Sequence, residues 1–222
     1  EGMVKHSRDI APGESRELDE YLPGLKPPLE AQLIDLADEV AYHTADLDDG
    51  YSAELFTMEE IAAEVPHYGE ILAEMETSFP GAPPGVLFQE TLRRLIDWLV
   101  SGLIQGTAEA VAASGADSAD DVRRCPRRLV EMTAEAGVTN RALKRFLMDR
   151  VYLSEALQQE RMAAAERIER LFAWFMEDPS RLPPGHSERI GVFPEHRVVC
   201  DYIAGMTEGF FRKTERRMLE GA

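Results

Sequence analysis

From Pro28 to Leu219 the apolar residues recur three and four positions apart, and no run alternates as a half-buried strand requires. That rhythm predicts an all-α chain. Leu33, Leu36, Ala37, Val40 and Ala41 form the apolar stripe of a first long helix, expected to stop in the acidic run Asp46–Gly50. Thr57-Met58-Glu59-Glu60 has the form of a capping box and opens a short helix toward Val65. Pro80 to Gly85 reads as a loop, and a long helix then runs from about Leu87 to Ala113, closed by Gly115. After a polar connection through Cys125-Pro126, helices are expected over Asn140–Ser154, over 155–177 and over Glu195–Leu219, with Pro179 and Pro183-Pro184-Gly185 as breaks. Residues 1–27 keep no lasting period and read as an irregular lead-in, while 28–222 read as one helical domain rather than two.

The 222 residues are ample for a buried core. With 41 acidic against 24 basic side chains and a formal charge of −17, the surface repels phosphate backbones, so nucleic acid is not an expected partner. A nucleotide held in a pocket with its own cations is not excluded. The most apolar stretch, Leu95 to Ile104, is too short and is interrupted by Asp97, so no membrane span is expected. Cys125 and Cys200 are far apart with no CxxC pair, which fits a reducing, cytoplasmic setting. The opening Glu1-Gly2-Met3 does not read as a natural initiation: either residues were removed, or this is the downstream piece of a longer protein.

Asp38, Tyr42 and Asp46 are spaced four apart and share one helix face, spanning about 80° around the axis. Two carboxylates and a phenol in a row can serve a metal and a sugar hydroxyl, or simply form a solvated acidic face opposite the Leu33/Leu36/Val40 stripe. Asp46-Leu47-Asp48-Asp49-Gly50 is not a calcium loop, because Gly50 comes one residue early and Thr57 stands where the bidentate Glu is needed. No two histidines are three or four apart, and no zinc-protease, serine-hydrolase or phosphate-loop motif is present. Spacing and composition alone stop at a soluble helical domain.

The stretch Pro28 to Tyr42 (PLEAQLIDLADEVAY), ending in Asp46-Leu47-Asp48-Asp49-Gly50, resembles a segment of bacterial dGTPase-like proteins, which are HD-domain deoxynucleoside triphosphate triphosphohydrolases. Three further pieces resemble the family in the same order: Glu1 to His6 (EGMVKH), Leu143 to Leu147 with Val151-Tyr152, and Arg197 to Thr207 (RVVCDYIAGMT). The resemblance implies the C-terminal portion of a multi-helix, HD-domain-like fold. It implies cleavage of a deoxynucleoside triphosphate into deoxynucleoside and tripolyphosphate, with a divalent metal, Mg²⁺ or Mn²⁺. By resemblance Asp38 is the last ligand of an H…HD…D metal set. Tyr42 and Asp46 match residues that contact phosphate and sugar, Lys144 a basic position near the triphosphate, and Tyr152 a tyrosine beside the deoxyribose. The first His, the HD pair and the catalytic acid and base belong upstream, so no catalytic residue is assigned here and this chain alone is expected to be inactive.

The expected partners are the nucleotide, the N-terminal part of the same protein and further copies in a homo-oligomer. Gly205 and Gly209 hint at such a subunit contact, or equally at an intramolecular one. The chain departs from the family in Leu153-Ser154-Glu155, where a His-Pro usually follows the tyrosine, and in Glu208-Gly209-Phe210, where Asp-Arg-Phe or Asp-Arg-Tyr is commoner. Two other readings stay open: a non-catalytic helical module for assembly or regulatory nucleotide binding, and a relative acting on another phosphoester.

Overall fold

A computed structural model describes residues 1–220, with the side chains of 156 and 220 left aside. Among the described residues there are helices and no strands, as the periodicity predicts. The helices fall into two compact units, 1–153 and 154–222.

The first unit begins with the four-residue α1 (Gly2–Lys5), and the rest of the lead-in is irregular apart from a 3-10 turn over Asp19–Tyr21. This segment is tied down by polar contacts. The fully buried Lys5 ammonium donates to the Glu1 carboxylate at 3.2 Å and to the Leu22 carbonyl at 3.1 Å, while Arg123 grips the same Glu1 at 3.1 and 3.0 Å. Burying a lysine is tolerable only with such a full set of acceptors.

Next comes α2 (Leu29–Ser52), and here two expectations change. The helix runs through Asp46–Gly50 instead of stopping there. Gly50 is a packing glycine rather than a stop, since a Cβ there would lie 2.6 Å from the Phe56 ring. The buried line is Val40, His43, Thr44, Leu47 and Gly50, whereas Leu33, Ile34, Ala37 and Ala41 lie exposed.

The capping box at Thr57 forms as read and starts α3 (Met58–Glu64), followed by α4 (Tyr68–Ser78). Pro84 enters the first turn of the 31-residue α5 (Pro84–Ser114), which ends on Gly115 in the left-handed region at φ 71°. The polar connection is shorter than expected. Ser118 caps the brief α6 (Ala119–Arg124), and Thr133 caps α7 (Ala134–Leu147), six residues before Asn140. A π-helical turn, Met148–Tyr152, replaces the last α-helical turn. The core packs Leu47, Phe56, Ile61, Tyr68, Phe88, Leu95, Leu99, Leu143 and Phe146 from α2 to α5 and α7.

In the second unit α8 (Glu155–Glu177) has the bounds read from the sequence, and α9 (Pro184–Ser187) is one short turn. The last helix is two: α10 (Glu195–Ala204) and α11 (Glu208–Glu220). They part at Gly205-Met206-Thr207, where the Thr207 hydroxyl accepts the Phe210 N–H at 3.4 Å. Leu171, Phe175, Leu182, Val198, Val199 and Met218 form a separate core.

Candidate functional site

The helix face of α2 that carries Asp38, Tyr42 and Asp46 is long enough to hold all three, because α2 continues to Ser52. Asp38 is exposed and Tyr42 is 62% exposed, so both stand in solvent. Asp46 is half-buried, at the edge where α2 meets α7.

At that edge the two predicted groups furthest apart in sequence come together. The Tyr152 hydroxyl, delivered by the π-helical turn, donates to the Asp46 carboxylate. Burial raises the Asp46 pKa, the neighbouring Asp49 adds to the rise, and His43 opposes it. The surroundings thus disfavour the charged form of Asp46, and the phenol offers that form a donor.

Lys144 does not reach Asp38 or Asp46. Its ammonium bonds to Glu39 at 2.9 Å, one residue beyond Asp38. Behind this pair the buried His43 Nδ1–H donates to Asn140 Oδ1 at 3.0 Å, linking α2 to α7 from the inside. Glu39, His43 and Asn140 are site neighbours that the sequence reading passes over. The available signal is His43 on the buried line of α2, one turn past Glu39, since a polar residue there needs a partner. A turn earlier, His6 bonds Asp35 at 2.9 Å, so the Glu1–His6 piece is brought against α2.

A cleft of about 680 Å³ lined by Tyr51, Phe56, Thr57, Glu59 and Phe88 contains none of the five predicted residues. The Asp46–Tyr152 and Glu39–Lys144 contacts lie along the edge between α2 and α7, outside that cleft.

Residues 130–217 match the phosphohydrolase-associated domain. Nearly the whole chain is also similar to curated relatives. It is 35% identical over 222 residues to a deoxyguanosinetriphosphate triphosphohydrolase-like protein of Geobacter sulfurreducens, covering 99% of this chain and 57% of the relative. A protein of the same description from Ralstonia nicotianae is 39% identical over 219 residues, covering 98% and 56%. One from Caulobacter vibrioides is 33% identical over 231 residues, covering 98% and 58%. The chain is thus similar over nearly its whole length to deoxyguanosinetriphosphate triphosphohydrolase-like proteins, and its C-terminal part carries the phosphohydrolase-associated domain found with them. It spans a little over half the length of these relatives and matches their C-terminal part. The associated domain takes in Asn140, Lys144 and Tyr152, while Asp38, Tyr42 and Asp46 precede it.

HD-type phosphohydrolases generally use divalent metals. The described residues do not make such a site by themselves. Among them no three His, Cys, Asp or Glu side chains converge, and Asp38 is a single exposed carboxylate. One carboxylate does not hold a catalytic divalent ion, which takes several protein ligands.

Proposed function

We propose that the protein to which this chain belongs hydrolyses a deoxynucleoside triphosphate to the deoxynucleoside and intact tripolyphosphate, and that this chain supplies one wall of the nucleotide site. The observation that carries the reading is the Tyr152–Asp46 hydrogen bond, which unites two residues assigned to the sugar from separate sequence motifs. Tyr42 stands on α2 one turn before Asp46, and Lys144 stands on α7, the helix that leads into the π-helical turn carrying Tyr152. Relatives named for this activity are 33% to 39% identical to this chain along 98% to 99% of its length.

In this reading Lys144 offsets phosphate charge as a point cation, and Tyr42 contacts the phosphate or sugar edge. Asp46 accepts from a sugar hydroxyl, and the Tyr152 ring lies against the deoxyribose, where a 2′-hydroxyl would collide with it. Asp38 contributes one ligand to a divalent ion whose other ligands lie outside this chain. In the overall reaction water adds to the α-phosphorus, the bond to the 5′-oxygen breaks, and that oxygen leaves with a proton as the deoxynucleoside.

The test is to incubate the full-length protein with dGTP and Mn²⁺ and resolve the products by chromatography and ³¹P NMR. Tripolyphosphate and deoxyguanosine in equal amounts are expected. Orthophosphate or pyrophosphate as the first product, or no turnover of any dNTP, would sink the proposal. Ribonucleotides and cyclic nucleotides run alongside separate it from a different phosphoesterase.

A further inference from the structure

Lys144 is the cation assigned to the phosphate tail, yet its ammonium is already occupied by Glu39 at 2.9 Å. The two side chains are 58% and 28% exposed, so neither is locked in by burial. Glu39 has little else to hold it. His43 Nε2 lies 3.8 Å away, beyond hydrogen-bond distance, and its Nδ1 is committed to Asn140 Oδ1. The pair can therefore open without leaving a buried charge behind.

We infer that Glu39 is a positioning residue that sets the affinity for the phosphate tail by competing with it for Lys144. An incoming triphosphate must displace the Glu39 carboxylate from the ammonium and then tolerates a negative charge one residue from Asp38. Both effects oppose binding. Both are lifted when the carboxylate becomes an amide. The inference rests on the reading of Lys144 given above, and it assigns to this chain a residue that tunes that reading.

The experiment compares wild type, Glu39→Gln, Glu39→Asp, Lys144→Met and the Glu39→Gln/Lys144→Met double variant in the full-length protein. Steady-state kinetics with dGTP are measured beside calorimetric binding of inorganic tripolyphosphate. An exposed pair of this kind corresponds to roughly a threefold to fivefold change in affinity. Glu39→Gln is expected to lower KM and the tripolyphosphate Kd by that factor with kcat unchanged, and Glu39→Asp, which keeps the charge, to stay nearer wild type. In the Lys144→Met background the gain from Glu39→Gln should shrink below about twofold, because the competed-for cation is gone. Glu90→Gln, which removes an equivalent charge paired to Arg93 on α5, is the control and should change neither constant. Unchanged or weaker tripolyphosphate binding in Glu39→Gln overturns the inference even if dGTP is hydrolysed. Tighter tripolyphosphate binding in a protein that hydrolyses no dNTP upholds it while the functional reading falls.

Discussion

The phenol of Tyr152 donates to the carboxylate of Asp46 across 106 positions of sequence, pinning the π-helical turn after α7 to the last turns of α2. Burial, with Asp49, raises the Asp46 pKa, so the folded chain holds the acid form more readily than the unfolded chain does. The sign follows from proton linkage. Whatever Asp46 adds to stability is fully present below the ordinary aspartate range and is lost as pH rises through its raised value. Tyr152→Phe removes a donor to the charged form and should push the pKa higher. The loss of stability is expected to be about 1 kcal/mol near neutrality and smaller in acid. Urea unfolding at both pH values, with the Asp46 carboxyl carbon followed by NMR, checks this. Equal losses at the two pH values would remove Asp46 from the account.

If the Tyr152 ring excludes a 2′-hydroxyl, shape and not the hydroxyl does the excluding. Tyr152→Phe should then keep the preference of the full-length protein for dGTP over GTP, and Tyr152→Ala should narrow it by about tenfold or more, the scale set by a steric contact. The ratio of kcat/KM values for the two nucleotides is the readout. A Phe variant as permissive as the Ala variant would instead make the hydroxyl the discriminating group.

Local signals carried much of this architecture. The Thr57–Glu60 capping box, the Gly115 stop and the bounds of α8 each depend on a few adjacent residues, and each stands as read. Thr57 accepts from the Glu60 N–H at 3.3 Å while the Glu60 carboxylate accepts the Thr57 N–H at 2.9 Å. Thr57→Ala should therefore cost about 1 kcal/mol by urea unfolding, with Thr57→Ser close to wild type. A neutral alanine variant would mean that tertiary packing alone holds α3.

What the sequence concealed is non-local. Periodicity marks Leu33 and Ala37 as positions of the apolar stripe but does not say what covers them, and in the structure both are exposed while His43 and Thr44 face inward. His43 is comfortable there only because Asn140, 97 positions away, meets it, and no local pattern announces such a partner. The same holds for Glu39, which reads as surface charge until Lys144 is brought against it. Asp38, Tyr42 and Asp46 could be placed on one face from spacing alone, but only the packing of α7 shows that Asp46 differs from the other two.

The lead-in segment should loosen in acid. The hydrogen bond from Lys26 holds the Asp9 carboxyl below the usual range against the opposing effect of burial, and Arg128 assists. Burial disfavours the Glu1 charge, but Arg123 and Lys5 outweigh it and lower its pKa as well. Depressed values mean that this stabilisation is present above the ordinary carboxylate range and disappears as pH falls through the lowered values. Hydrogen exchange at the amides of Gly24 and Lys26, which bond to Ile10 and Arg123 carbonyls at 2.8 and 2.9 Å, reads the segment directly. Their protection should fall between about pH 6 and about pH 3 after correction for intrinsic exchange, and Asp9→Asn should lose part of it already at the higher pH. Protection that is independent of pH would show that apolar contacts, not these carboxylates, hold residues 1–27.

The approach of α5 to the start of α7 is the most restrictive contact in the first unit. A Cβ on Gly106 would lie 2.5 Å from the Glu131 carbonyl oxygen, the Met132 carbonyl carbon and the Thr133 nitrogen, all of them backbone. No side chain can swing aside to relieve that overlap, so α5 and the 131–133 strip must separate. The strip is held by the Thr133 N–H to the Gly102 carbonyl at 3.0 Å, and Thr133 caps α7, which carries Asn140 and Lys144. Gly106→Ala is therefore expected to cost about 3 kcal/mol, the upper part of the range for overpacking, and to weaken the His43–Asn140 bond as α7 shifts. Gly85→Ala, on the same helix with nothing within 4 Å of the added carbon, should be neutral or stabilising by up to about 1 kcal/mol. Urea midpoints of the two variants, with the His43 ring followed by NMR, separate the cases. If both alanines behave alike, helix propensity rather than backbone approach governs α5, and the close crossing that positions Lys144 is not where the structure puts it.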